Sequence, residues 1–158
     1  MVERDNVGTD YLTFLGTFGE RIANLTDRIG EIEELVGVDG NQDEALVIAT
    51  ETVGQYQLMS TPIEQIAEMD LRELAGLAQL HLMIVAIGLS RNRTLETVED
   101  KRDELVVWGA YLSKAVDMGR ILVEGKFMQT VRGKLFVWPV ELKKSAAEFH
   151  EREAEFIP

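Results

Sequence analysis

The sequence predicts an all-α protein, an elongated helical bundle of four to five helices that ends in a small β-hairpin and a tail helix. Three observations lead to this fold class. A regular apolar stripe marks the first long segment, an apolar run without a polar face fills the middle of the chain, and the helical periodicity is lost after about residue 124.

The first helix is predicted over Tyr11 to Val36, capped by Thr9 or Asp10. Its large apolar residues alternate at spacings of four and three, which is the pattern of a coiled-coil or bundle helix. These residues are Tyr11, Leu15, Phe18, Ile22, Leu25, Ile29, Ile32 and Val36. A row of small residues follows one position on, at Gly16, Gly19, Ala23, Thr26 and Gly30. A glycine inside a helix costs about 1 kcal/mol relative to alanine, so we expect a close neighbour along this row. The alternative is a break near Gly19, with the true helix starting later.

The middle of the chain contains three further predicted elements. Residues 44 to 58 fit either a helix or a strand, and we predict a helix that begins at an Asn41 cap with Glu44. Thr61 and Pro62 begin a short helix, and Asp70 begins a longer one over residues 71 to 90. The part from Leu80 to Leu89 is apolar on every side and is therefore expected at the centre of the packed body or of an oligomer interface.

The next helix is predicted from a Thr94 cap to Val123. Its expected inner face comprises Leu95, Val98, Leu105, Leu112, Val116 and Val123, with Trp108 and Tyr111 beside it. Gly109 and Gly119 share one seven-residue rhythm, so this helix should also accept a close neighbour. We expect that neighbour to be the small-residue row of the first helix.

The last part of the chain changes in character. Two short β-rich runs, 127–131 and 135–138, flank Arg132 and Gly133, and this arrangement predicts a hairpin. A polar helix follows from Val140 to Phe156. The predicted organisation is a flexible lead over residues 1–9, a helical bundle domain over 10–123, and a hairpin plus helix arm over 124–158.

Composition narrows the class of protein. The formal net charge is −12, from 28 acidic and 16 basic residues, and there is no cysteine. The acidic excess argues against generic nucleic-acid binding, and the lack of cysteine excludes thiolate chemistry. The apolar run Leu74 to Leu89 is shorter than the roughly 20 residues of a membrane span, so we expect a core helix and no membrane partner. The charged N-terminus has no signal-peptide pattern, and we expect a location in the cytoplasm, in a virus particle or in another intracellular assembly.

No motif predicts catalytic residues or a bound cofactor. His81 lies inside the apolar run and is interpreted as a hydrogen-bonded core residue, whereas His150 stands among glutamates on a polar helix. Arg91, Arg93 and the Lys101–Arg102 pair are the candidate basic patch of a weak nucleic-acid-binding regulator, which is the second alternative function.

Acidic pairs carry the first alternative function. Glu31 with Glu34, and Asp100 with Asp103, lie three residues apart on a helix face and are the candidate metal ligands. The segment containing Asp100, Asp103, Leu105, Trp108, Tyr111 and Leu112 is similar to the second acidic motif of the MazG-like pyrophosphohydrolases, which implies a magnesium-dependent nucleotide hydrolase. The sequence departs from that family because the first acidic pair is about 65 residues upstream and Arg102 interrupts the second.

The predicted function is non-enzymatic: a subunit of a homo-oligomer or larger complex, for example a viral connector-type or scaffold-type protein, that acts through helix–helix packing. The expected partners are further copies of the chain or other protein subunits. The chain carries more apolar surface than a lone bundle of this size can bury. The candidate interface residues are Tyr11, Leu15, Phe18, Ile22, Leu25, Ile29, Ile32, Trp138, Phe149 and Phe156.

Overall fold

A computed structural model describes residues 15–37, 40–127, 129–131, 134–136 and 138–156. Its helices are α1 (Phe18–Gly37), α2 (Gln42–Gly54), α3 (Ile63–Ile66), α4 (Leu71–Asn92), α5 (Val98–Glu124) and α6 (Trp138–Ala154), with a 3-10 turn at Leu58–Ser60. Two short strands, β1 (Gln129–Val131) and β2 (Lys134–Phe136), pair antiparallel with Thr130 opposite Leu135. The predicted all-α class is confirmed, because helices make up most of the chain.

Helix α4 is the centre of the fold. It packs against α1, α2, α5 and α6, and its contact with α5 is the most extensive. Leu74, Leu77, Leu80 and Ile84 are completely buried. The apolar run was expected at the centre of the packed body or of an interface, and the first of these positions is confirmed. Burying a side chain of this kind contributes about 1.5–3 kcal/mol.

Helices α2 and α4 begin at the predicted start signals. The backbone amide of Glu44 donates to the Asn41 side chain at 3.1 Å, and that of Arg72 donates to Asp70 at 2.8 Å. The ambiguous segment from residue 44 is helical as far as Gly54. Local capping therefore determined where these two helices begin.

The predicted start of the first helix at Tyr11 is wrong, and Tyr11 itself lies outside the described residues. Residues 15–17 are not helical, and Gly16 has a φ of +105°. Thr17 and Glu20 form the capping box instead: the Glu20 amide donates to the Thr17 hydroxyl at 3.2 Å, and the Thr17 amide donates to the Glu20 carboxylate at 3.3 Å. The helix consequently begins at Phe18, later than Tyr11 and one residue before Gly19, near which the alternative places a break.

The expected packing of α1 is also wrong. Helix α1 packs against α2 and α4 rather than α5, and its row of small residues faces solvent. A Cβ atom at Gly19 or Gly30 would meet nothing within 4 Å. The close approach lies instead on the side of α1 that carries the large apolar residues, where Leu25 contacts Gly76 of α4. This side is buried because large side chains remove more apolar surface from water than small ones.

The glycines of α5 do accept a close neighbour, and the neighbour is α6. The Cβ position at Gly109 is 3.0 Å from Phe149, and that at Gly119 is 2.2 Å from Leu142. Helix α6 therefore runs antiparallel along α5 and covers its two glycines.

The start and the inner face of α5 differ from the prediction. The cap is Thr97, whose hydroxyl accepts from the Asp100 amide at 3.0 Å, whereas Thr94 donates to the carbonyl of Arg91. Val98 and Val123 are exposed, and Trp108 lies in the core. The buried stripe follows the helical spacing through Leu105, Trp108, Leu112, Ala115, Met118 and Leu122.

Candidate functional site

A buried ion pair joins the N-terminal helices to the core. The Glu73 side chain on α4 is 3% exposed, and it accepts from Nε of Arg21 at 2.6 Å. The hydroxyl of Tyr56, just after α2, donates to the same carboxylate at 2.7 Å. The Arg21 guanidinium also donates to the carbonyl of Gly16 at 2.7 Å. The network therefore holds α1, the end of α2 and α4 together.

The electrostatics of this network favour the charged pair and a neutral phenol. The hydrogen bond to Glu73 raises the pKa of Arg21. Burial, followed by the hydrogen bond to Glu73, raises the pKa of Tyr56 far above its usual range. Tyr56 thus remains a donor to the carboxylate, and the arrangement is suited to holding helices in place.

A second polar network joins α4, α5 and α6. Arg152 of α6 is 3% exposed and donates to the side chain of Asn92, which is completely buried at the end of α4. Asn92 donates to Glu104 at 3.1 Å, and the indole nitrogen of Trp108 donates to the same carboxylate at 2.9 Å. Arg152 also pairs with Glu155. These bonds fix the C-terminal end of α6 against the core.

Two of the concave surfaces that the described residues form lie outside these networks. A cleft of about 500 Å³ has His81 and Tyr111 on one side and the segment from Val53 to Ser60 on the other. A groove of about 480 Å³ lies between the start of α5 and the end of α6. We call them the His81 cleft and the α5–α6 groove.

His81 is a hydrogen-bonded core residue, as the sequence predicts. It is 1% exposed, and its Nδ1 atom lies 2.7 Å from the carbonyl oxygen of Leu77. Its ring lies 5.6 Å from the ring of Tyr111. The pKa of His81 is lowered to about 4, mainly by burial; the bond to Leu77 opposes this shift, and nearby Lys114 adds to it. The imidazole is therefore neutral near pH 7, and Nδ1 carries the proton that is donated to Leu77.

Stability should depend on pH through His81. The ordinary pKa of 6.5 applies to the unfolded chain, so that state takes up a proton first as the pH falls. The stability that the neutral His81 side chain contributes is complete above pH 6.5 and is lost as the pH falls from 6.5 to about 4. We expect the free energy of unfolding of the wild type to fall by about 3 kcal/mol relative to His81→Leu over this interval. Urea unfolding at a series of pH values measures this difference, and parallel profiles for the two proteins would contradict it.

The structure does not gather the predicted metal ligands into a site. Asp100, Asp103 and Glu34 are exposed, and Glu31 pairs with Arg28 at 3.3 Å. Among the residues that the structure describes, no group of three or more His, Asp or Glu side chains could hold a metal ion. A hard cation needs several converging oxygen atoms, so the acidic pairs have no geometric support.

The candidate interface residues divide into three groups. Leu25, Ile32 and Phe149 are buried within the chain. Four others are half-buried, namely Leu15, Phe18, Ile22 and Ile29, and so is Phe156, which lines the α5–α6 groove. Tyr11 and the side chain of Trp138 lie outside what the structure describes. Val106, which is 74% exposed and lines the same groove, was not among the candidates, because a single valine outside the predicted inner face gives no pattern.

The candidate basic patch is partly neutralised. Nε of Arg91 lies 2.5 Å from Asp43 of α2, while Arg93 and Arg102 are exposed and Asp103 directly follows Arg102. A nucleic-acid interface requires a concentrated basic surface. These side chains do not form one.

Helix α4 is long and apolar enough to cross a membrane, with a mean hydropathy of 1.5 over its most apolar window. In this fold 83% of that window is buried by the rest of the chain. This burial is the property of a core helix.

Comparison of the chain with protein-family models, curated proteins and solved structures gave no match.

Proposed function

We propose that the protein is a non-enzymatic assembly subunit, in which two copies pair through their α5–α6 grooves. The observation that carries the proposal is the exposed apolar side chain of Val106, which lines this groove. Val106 is 74% exposed, although Leu105, the residue before it on the same helix, is buried. The proposed subunit is an elongated bundle whose hairpin and tail helix form the assembly arm.

The groove results from the way α6 covers α5. Phe149 covers Gly109, but α6 ends at Ala154, so the first turns of α5 extend beyond it. Leu105, Phe149 and Phe156 line the groove, and Val106 forms its rim. A neighbouring helix could bury these side chains. Each Å² of apolar surface that it removes from water would contribute about 25 cal/mol to the free energy of association.

Charge favours a second copy as the occupant. The rim of the groove carries one cation, Arg102, and one anion, Glu153. A twofold axis brings the same patch of two copies together in opposite directions, so each Arg102 could face the Glu153 of the other copy. The net charge of −12 on each copy opposes association, and added salt should weaken that repulsion. Pairing should therefore strengthen as salt is raised.

Substitution of one valine tests the proposal. Light scattering at micromolar concentration should give the wild type a mass of about twice 17.8 kDa. Val106→Glu should reduce the mass to that of a single chain, because a charge would be buried at the apolar contact.

Val107→Glu is the matched control. Val107 is also exposed, at 47%, and is the next residue on the same helix, but it does not line the groove. This variant should retain the wild-type mass. A wild type that remains a single chain at high salt, or equal effects of the two substitutions, would overturn the proposal.

A further inference from the structure

We propose that the His81 cleft binds a small, uncharged alcohol or phenol with an apolar body. The ligand hydroxyl would donate a hydrogen bond to Nε2 of His81. This site is separate from the α5–α6 groove and does not depend on the assembly proposal.

The tautomer of His81 defines the chemistry of the cleft. Nδ1 lies 2.7 Å from the Leu77 carbonyl, and only a protonated nitrogen can donate to that oxygen. Nε2 of the neutral ring is therefore an acceptor. Within the part of the chain that the structure describes, no hydrogen bond to Nε2 is present, although the residue is almost wholly buried and lines the cleft. An acceptor without a bond, on a residue that lines a cleft, is available to a donor from a ligand.

The walls determine the rest of the ligand. Val53, Leu58 and Met59 present apolar side chains, and the Tyr111 ring lies opposite them beside His81. The volume of about 500 Å³ is within the range of small-molecule sites. A methionine sulfur also makes favourable contacts with aromatic rings. These features fit a compact apolar or aromatic body.

Charge excludes the ionised ligand classes. None of the side chains that line the cleft is a carboxylate, a lysine or an arginine. Lys114 is near enough to lower the pKa of His81 but does not line the cleft, so a carboxylate or phosphate would meet the lone pair of Nε2 and no cation in the lining. An ammonium would lose its hydration without gaining a counter-charge. The uncharged hydroxyl is the donor that this site can accept.

A matched set of ligands tests the proposal on the wild-type protein. The probes are 4-methylphenol, 4-methylanisole, which cannot donate a hydrogen bond, and 4-methylbenzoate, which is charged. Titration followed by histidine ¹⁵N NMR should show saturable binding of 4-methylphenol with a shift of the Nε2 resonance of His81. Its affinity should exceed that of 4-methylanisole by roughly threefold to tenfold, and 4-methylbenzoate should not bind. Equal affinities for the first two probes, or no binding of 4-methylphenol, would overturn the proposal.

Two glycine variants locate the binding without altering His81. Gly54, the last residue of α2, lines the cleft, and a Cβ atom there would meet nothing within 4 Å. Gly54→Leu should fold and reduce the affinity for 4-methylphenol by at least about tenfold, because the new side chain occupies the cleft. The matched control is Gly37→Leu, at the last residue of α1, where a Cβ would also be free of contacts. Unchanged binding in Gly54→Leu, or equal losses in both variants, would contradict the assigned location.

Discussion

Replacement of Arg21 by methionine is expected to lower the free energy of unfolding by about 3–5 kcal/mol. Methionine retains the apolar stem of the side chain but removes the charge that pairs with Glu73 at 2.6 Å. Glu73 would then be a buried carboxylate held by Tyr56 alone among the contacts described above. An uncompensated buried charge costs far more than the ion pair contributes, so the loss should be large.

Urea unfolding of two further variants separates charge from packing. Arg21→Met combined with Glu73→Gln should recover much of the lost stability, since no charge remains buried. The control is Arg28→Met on the same helix, where the pair with Glu31 is about two-fifths exposed on each side. That change should cost less than about 1 kcal/mol. A loss in Arg21→Met no larger than in Arg28→Met would show that the buried pair does not hold α1 in place.

The role of Glu73 illustrates why sequence reasoning missed this network. Glu73 lies three residues after Asp70, and that spacing alone is sufficient to indicate a helix start, which the structure confirms at Asp70. Its ion-pair partner is 52 residues away in the chain. No local spacing encodes a contact of that separation, so the same residue satisfied a local rule while its principal contact was tertiary.

The orientation of α1 shows a second limit of prediction from the sequence, namely which face of a helix is buried. The alternating apolar residues correctly predicted a helix with one buried side, and Leu25 and Ile32 are buried. The small-residue row was expected to be a second packed side, yet Gly19 and Gly30 face solvent. Small residues permit a close approach but remove little apolar surface from water, so they do not decide which face is buried.

The cleft could be predicted only in part. The position of His81 within an apolar run correctly indicated a buried, hydrogen-bonded ring. The cleft itself requires Tyr111 of α5 and the turn around Leu58 to lie beside that ring. In that turn Gln57 adopts a φ of +53°, a conformation that glutamine rarely adopts and that its sequence neighbours did not indicate.

Substitution of Gly88 by alanine should have the second large effect, a loss of about 3 kcal/mol in the free energy of unfolding. A Cβ atom at Gly88 would lie 2.4–2.8 Å from three atoms of the Trp108 ring. The indole cannot easily move away, because its nitrogen donates to Glu104 at 2.9 Å and Glu104 is held by Asn92. The contact between α4 and α5 must therefore open or the Trp108 hydrogen bond must break. Chemical unfolding, followed by tryptophan fluorescence, would measure both the lost stability and the changed surroundings of the ring.

Two glycine substitutions distinguish a rigid close contact from the general effect of glycine in a helix. Gly119→Ala should cost about 1 kcal/mol, because the atom it meets is the end of the flexible, half-buried Leu142 side chain. Gly30→Ala should stabilise the protein by about 0.5–1 kcal/mol, since alanine favours the helix and a Cβ there would contact nothing. If Gly88→Ala were as harmless as Gly30→Ala, the close packing of α4 on the Trp108 ring would be wrong. The expected order of stability, from Gly30→Ala to Gly119→Ala to Gly88→Ala, follows how readily the atoms beside each glycine can move.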